Sequence, residues 1–267
     1  MSARRPPRRA AAGAPRETSW ERVATWYDGW VGDGGSAYHR QLAIPAMLEL
    51  LDPGPGEQLL DVGGGQGVLA PPLVEAGASV TVVDVSAKLI AAAKRRHRSL
   101  RGARFLVGDA RRLPALADLE PAAFDAATFL LSIQDMDDLP AVVRGVDWAL
   151  KPVSRVVLLM THPAFRQPRH SGWGYDESRK LTYRRVDAYL GEMAVPMKSL
   201  GGGPPTRSFH RPISAYVNTL ADAGFATDAM LELADLPPER RPGRGTRGDE
   251  RANAEIPIFL ALRAVRG

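Results

Sequence analysis

Between residues 58 and 162, five short apolar runs alternate for the most part with segments of helical spacing. The runs are QLLDVGG (58–64), SVTVVD (79–84), ARFLVGD (103–109), FDAATFLL (124–131) and SRVVLLMTH (154–162). A strand that is apolar at consecutive positions must be covered on both faces, which is the condition of a parallel sheet, and parallel neighbours need the crossover connections that helices supply. The alternation therefore specifies an α/β fold with helices on both faces of one sheet. In such sheets ligands sit outside the carboxyl ends of the strands, and those ends are where function is to be sought.

The remaining segments fit this frame. A helix through Leu73, Val74 and Ala76 ends at Gly77, Ser86 caps another to about residue 98, and LPAVVRGVDWALK (139–151) is a third, stopped by Pro152. Upstream, SWERVATWYDGWV places Val23, Trp26, Tyr27, Trp30 and Val31 on one helical face, with Ser19 as its cap, and a second helix runs over 36–51 to the Pro53-Gly54-Pro55-Gly56 turn. Residues 163–211 break the alternation with prolines, glycines and scattered aromatics, and carry a helical piece near 179–190. Order resumes with a helix over 212–223, a strand over 226–234, an Arg-rich loop and a last strand over 255–265. Two strands joined without a helix predict an antiparallel pair at one edge.

Composition narrows the chemistry. At 267 residues and 45% hydrophobic, the chain supports one large domain. It has no cysteine, which excludes disulfides, thiolate metal sites and cysteine nucleophiles. The formal charge of +5 suggests nucleic acid until it is located: residues 1–19 carry five arginines against Glu17, a net +4, which leaves the body nearly neutral. Residues 1–19 are read as a disordered basic tail, and the segment around 240–251, with Arg240, Arg241, Arg244, Arg247 and Arg251, as a solvated loop. No stretch approaches the ~20 apolar residues of a membrane span, and the tail lacks the apolar segment of a secretory signal. The expected location is the cytoplasm.

The sharpest motif is LLDVGGGQG. Asp61 closes the first strand, and Gly63, Gly65 and Gly67 let the backbone turn tightly enough for main-chain N–H groups to face a ligand. Asp84 ends the second strand, where a carboxylate can accept both hydroxyls of a ribose, and Asp109 ends the third. The dinucleotide fingerprint would need glycine at 68, where this chain has Val68.

An acid two residues before G-x-G-x-G, followed by acids at the next two strand ends, resembles the class I S-adenosylmethionine-dependent methyltransferases, and the likeness extends from about Trp20 to Val265. LDVGGGQG is similar to their motif I, VVDVS to their ribose loop, VGDARRLP to their adenine loop and FDAATFLLSIQDM to their fourth-strand segment. The resemblance implies a Rossmann-like sheet of about seven strands, mostly parallel with the last antiparallel, over 20–265, with a substrate-cap insertion after the fifth strand at about 163–211. It implies S-adenosylmethionine as cofactor. Gly63 and Gly65 would approach its methionine part, with Asp61 holding the loop or the amino group. Asp84 would take the ribose diol and Asp109 the adenine amine, with Ala110 supplying an N–H and Val85 or Leu113 packing the ring. Leu131 and Ser132 would meet the amino-acid end through their carbonyls, and Tyr27 its carboxylate. Pro71-Pro72 departs from the pattern: it falls where the first helix should already be running, so that helix starts only near Ala70.

Methyl transfer from a sulfonium is an in-line displacement whose activated leaving group comes with the cofactor, so the protein mainly positions the reactants, and a general base helps a hydroxyl or protonated nitrogen. No metal is required. Leu131-Ser132-Ile133-Gln134-Asp135-Met136 lacks the (Asp/Asn)-Pro-Pro-aromatic segment of base amino-methylating enzymes, and the missing cysteine disfavours carbon-five methylation of pyrimidines. The expected reaction is methylation of an O or N atom of a small molecule. His162, just beyond the fifth strand, is the first candidate for base or substrate orienter, His210 the second, and Asp135 a polar substrate contact. The alternatives are an RNA or protein methyltransferase that uses the basic tail and the 240–251 loop, and a non-catalytic module that binds the cofactor.

Overall fold

The structure is a computed structural model that describes residues 20–197, 205–237, 239 and 247–267. The basic tail at 1–19, including Ser19, lies outside the described residues, as do 240–246 of the Arg-rich segment. The five apolar runs are strands β1 (Gln58–Val62), β2 (Ser79–Asp84), β3 (Ala103–Val107), β4 (Phe124–Leu130) and β5 (Leu150–Thr161). Helices α1 (Trp20–Val31) and α2 (Ile44–Leu51) precede them, and α3 (Ala70–Glu75), α4 (Ala87–Arg96) and α5 (Leu139–Ala149) connect them. After β5 come two small antiparallel ladders, β6 (Ser171–Asp176) with β7 (Leu181–Val186) and β8 (Met193–Pro196) with β9 (Arg207–His210). The chain closes with α6 (Ile213–Asp222), β10 (Ala226–Leu233), α7 (Arg247–Glu255) and β11 (Phe259–Arg266).

Seven strands form one sheet in the order β10-β11-β5-β4-β1-β2-β3. β11 runs antiparallel to both its neighbours, while β5, β4, β1, β2 and β3 pair in parallel. Side chains alternate across the sheet and build two cores. Leu60, Val62, Ala127, Phe129, Val156 and Leu158 meet α5 and α6 on one face. Leu59, Val80, Val82, Ala126 and Val157 meet α2, α3 and α4 on the other. Each fully buried Leu, Val or Phe side chain among them contributes about 1.5–3 kcal/mol. The double coverage is the physical content of the continuous apolar runs.

Three expectations change. Residues 179–190 are not helical: LTYRRV alternates with a period of two, and as β7 it pairs Tyr183 with Gly174 and Arg184 with Trp173, whose ring lies 5.0 Å from the guanidinium carbon. Residues 247–255 are the helix α7 rather than loop, in keeping with the good helix formers in RGDERANAE, and it sits between β10 and β11 without changing their antiparallel pairing. The helix over 36–51 is interrupted by a π-helical turn at His39–Ala43. By contrast, α3 begins at Ala70 with the two prolines in its first turn, where their missing N–H groups cost nothing. Ser86 caps α4, its Oγ accepting the Leu89 N–H at 3.2 Å.

α5 approaches the turn after β3 so closely that a Cβ at Gly145 would stand 2.6 Å from the Ala110 carbonyl oxygen. Glycine inside a helix ordinarily costs about 1 kcal/mol relative to alanine. Here Gly145→Ala is expected to lower stability, by about 1–3 kcal/mol of overpacking, as a reduced denaturant midpoint. A more stable variant would show that α5 is free to recede.

Candidate active site

The carboxyl ends of β1 to β4 open into one cleft, roofed by α1. The register explains which side chains meet there. Asp61 lies beside Thr128 of β4, and the Thr128 hydroxyl donates to Asp61 Oδ1 at 3.0 Å. Asp61 Oδ2 is buried and has no partner among the described residues. Burial pushes the Asp61 carboxyl up to about 7, with the Thr128 hydrogen bond pulling the other way and the neighbouring Asp84 adding to the rise. An unpaired buried carboxylate oxygen is costly, and it is the group that a ligand ammonium would satisfy.

Gly63 and Gly65 have φ of +69° and +56°, in the left-handed region that favours glycine. A Cβ at Gly63 would also stand 2.7 Å from both Ser132 Cβ and Met136 Cε. Gly65 N–H donates to Asp84 Oδ2 at 2.9 Å and Ser86 N–H to Oδ1 at 2.8 Å, so the acid ending β2 ties the glycine loop to the start of α4. Each Asp84 oxygen accepts one of these bonds and keeps a lone pair for a ribose hydroxyl. Burial holds the Asp84 carboxyl above its ordinary value despite those two bonds.

The turn after β3, where the resemblance led to the expectation of an adenine contact, has its acid already engaged. Asp109 is gripped by Arg111, whose Nε and Nη2 reach its carboxylate at 2.7–3.1 Å while the Arg111 N–H donates to Oδ1 at 3.0 Å. The same guanidinium reaches Asp137 through Nη1. Arg111 thus bridges the turn after β3 to the loop before α5, and against the cost of burial it holds Asp109 below the usual carboxylate range. Val85 and Ala110 line the cleft, but Leu113 does not: it is fully buried in the core under α5.

At the end of β4, Leu131 adopts φ +54°, a strained conformation for a branched residue. Its carbonyl accepts from Gln134 Nε2 at 2.7 Å, and the Ser132 carbonyl accepts the Asp135 N–H at 2.9 Å, so both have one lone pair engaged. The Ser132 hydroxyl donates to the Val62 carbonyl at 2.7 Å. Asp135 lines the cleft, and burial pushes its carboxyl up to about 8, with a hydrogen bond from Ser208 opposing. Tyr27 hangs from α1 into the same cleft, its hydroxyl pushed up by burial and by Asp135 and Asp84. α1 is held over the opening by Arg96 of α4, which pairs with Asp28 and Asp33, each at 2.7 Å.

His162 and His210 stand outside this cleft. His162 Nδ1 accepts the N–H groups of Ala164 and Phe165, which leaves the proton on Nε2, and that faces Glu232 Oε1 at 2.9 Å. Both ring nitrogens are committed. His210 is buried and donates through Nε2 to the Tyr189 carbonyl at 2.7 Å. The topology that put His162 just beyond a strand end is right, but β5 lies next to the reversed β11, and the side chain turns toward Glu232 of β10. Three cleft residues carried no sequence signal that singled them out: His39, Arg111 and Asp137. Arg111 had the nearest to one, an arginine two residues after the strand-end acid.

Comparison with known proteins agrees with this geometry. Residues 59–153 match the family model described as a methyltransferase domain. The chain is 35% identical over 101 residues to ubiquinone biosynthesis O-methyltransferase of Idiomarina loihiensis, covering 38% of this chain and 41% of that protein. It is 29% identical over 113 residues to demethylmenaquinone methyltransferase of Streptomyces griseus, covering 42% and 46%. The chain thus spans less than half the length of these two curated relatives. The fold matches that of an S-adenosylmethionine-dependent methyltransferase from Mesorhizobium loti with a TM-score of 0.67 at 24% identity, over 88% of this chain and 100% of that one. Motif, sheet order and the matched segment 59–153 are thus all similar to those of class I S-adenosylmethionine-dependent methyltransferases, whose fold this chain shares.

Proposed function

We propose that the protein moves a methyl group from S-adenosylmethionine to an oxygen or nitrogen atom of a small molecule by direct in-line displacement. The observation that carries this reading is the unpaired, buried Asp61 Oδ2 beside the glycine loop, in one cleft with Asp84, Tyr27 and Asp135. Asp61 holds the cofactor's ammonium, Gly63 and Gly65 face its methionine part, and Asp84 takes the ribose diol. Val85 and Ala110 border the adenine, with Asp109 approached through its remaining lone pair or after Arg111 swings aside. Tyr27, Leu131 and Ser132 border the amino-acid end. The bound cofactor supplies an activated methyl on a cationic sulfur.

On this reading the acceptor meets Trp20, Tyr27, Val31 and Met136, with Asp135 as its acid, all residues that line the cleft. Such a mix of apolar walls and few polar groups suits a small molecule. The names of the two curated relatives, which refer to ubiquinone and menaquinone precursors, point the same way. Because both nitrogens of His162 are engaged and His210 is turned to Tyr189, the base role falls to Asp135, which accepts the acceptor's proton as the methyl moves. A cationic sulfur bound near Asp135 would favour its ionised form, the form able to take that proton. The residues over 163–211, with the β6–β7 hairpin, would form the substrate cap.

Isothermal titration is expected to show S-adenosylmethionine and its demethylated product binding in preference to NAD. Asp84→Ala should abolish that binding. Asp61→Asn should weaken it about tenfold or more, the worth of one hydrogen bond to a charged group. Tight NAD binding with no affinity for S-adenosylmethionine would overturn the proposal.

The raised acids also fix the sign of a pH effect. Asp61, at about 7, and Asp135, at about 8, hold protons in the folded state that the unfolded chain releases near 4. Stability from this source is present at low pH and is lost as pH rises through 7 and 8. Below about 6.5 the buried His39 and His162 and the half-buried His97, all held below the ordinary histidine value, act in the opposite sense, because the unfolded state then binds the extra protons. The denaturant midpoint of the ligand-free protein should therefore fall between pH 6.5 and 8.5. Asp135→Asn should flatten that fall, and a midpoint that rises over this range in the wild type would refute the assignment.

A further inference from the structure

We propose that His39 positions the methyl acceptor, presenting its Nε2–H to an oxygen of an aromatic alcohol bound between Asp135 and the walls formed by Trp20, Tyr27, Val31 and Met136. The inference rests on the methyltransferase reading and specifies the class of molecule at the same site. His39 is buried and lines the cleft. Its Nδ1 accepts the Ser36 N–H at 3.3 Å and lies 2.9 Å from the Ser36 hydroxyl, while Nε2 has no hydrogen bond among the described residues. A backbone N–H can only donate, so Nδ1 carries the lone pair and the neutral ring carries its proton on Nε2.

The ring is pinned from behind. Gly35, at φ +87°, passes so close that a Cβ there would stand 2.6 Å from His39 Cβ, and the π-helical turn begins at His39 itself. Single π turns of this kind recur at functional sites. Burial, together with the adjacent Arg40, pushes His39 down to about 4. The imidazole therefore stays neutral through the physiological range and serves as a fixed donor, while the proton of the reacting hydroxyl goes to Asp135. One donor and one acceptor among apolar and aromatic walls match a ring-borne hydroxyl better than an amine, which would find no acceptor at His39.

The test uses the full chain saturated with S-adenosylhomocysteine, titrated calorimetrically with catechol, 4-hydroxybenzoate and a hydroxynaphthoquinone. At least one should bind to the wild type. His39→Ala and His39→Phe should weaken that phenol roughly tenfold, the worth of one buried hydrogen bond whose partner is left unmet, with S-adenosylhomocysteine affinity changed less than about twofold. His39→Gln, which retains an N–H donor, should recover part of the loss, a rescue that a merely structural histidine would not show. A phenol bound equally well by His39→Ala overturns the proposal. So does a parallel loss of S-adenosylhomocysteine, which would place His39 at the cofactor, and so does a wild type that takes the cofactor product but none of the phenols. A wild type that binds no S-adenosylhomocysteine defeats the methyltransferase reading itself.

Discussion

The site hangs on the carboxylate of Asp84. One of its oxygens holds the Gly65 N–H and the other the Ser86 N–H, so a single buried acid fixes the glycine loop after β1 and the first turn of α4. Ser86 extends the node: its hydroxyl caps α4 through Leu89 and donates to Glu21 of α1. Strand end, loop, helix start and roof are thereby tied to one group. A buried charge with two good backbone donors is tolerable but not free, and burial still keeps Asp84 above its normal value. The fold accepts that cost because the same oxygens face the cleft.

Asp61, Asp84 and Asp135 repeat the bargain. All three line the cleft, and burial raises all three. With no compensating cation among their side-chain partners, such a cluster destabilises the folded chain at neutral pH. A ligand with an ammonium and a sulfonium reverses the balance, since each positive charge favours the ionised form of a nearby acid. The cofactor would then act as a structural counter-ion as well as a reagent. Asp109 differs because it carries its own counter-ion in Arg111.

Much of this was legible in the sequence where a local rule and the fold demand the same residue. β2 follows the run at 79–84, Ser86 is the cap it promised, and the strand-end acids line one rim because parallel strands end together. Legibility failed where tertiary partners decide. LTYRRV reads equally as a short helix until Trp173 and Gly174 are set opposite Arg184 and Tyr183. RGDERANAE, nearly devoid of apolar residues, has no periodicity to betray a helix, although Ala252 is buried. Leu113 and Val85 were equal candidates for the adenine face, and only the approach of α5 sends Leu113 into the core.

The histidines show why residue type and topology together still do not assign a role. His162 was favoured because it follows a strand end, yet what an imidazole can do depends on which nitrogen is already engaged. Two backbone N–H groups and Glu232 occupy His162, the Tyr189 carbonyl holds His210, the Gln66 carbonyl stands 3.1 Å from His97, and Asp187 pairs with His170. His162 is thereby engaged at both nitrogens, while His97, His170 and His210 are each tied at one and stand outside the residues that line the cleft. His39 too is tied at one nitrogen, by a residue three positions earlier, and what sets it apart is that it lines the cleft. A ring held at one nitrogen keeps the other for a ligand, and it is the place of that second nitrogen in the fold that decides whether a ligand can meet it.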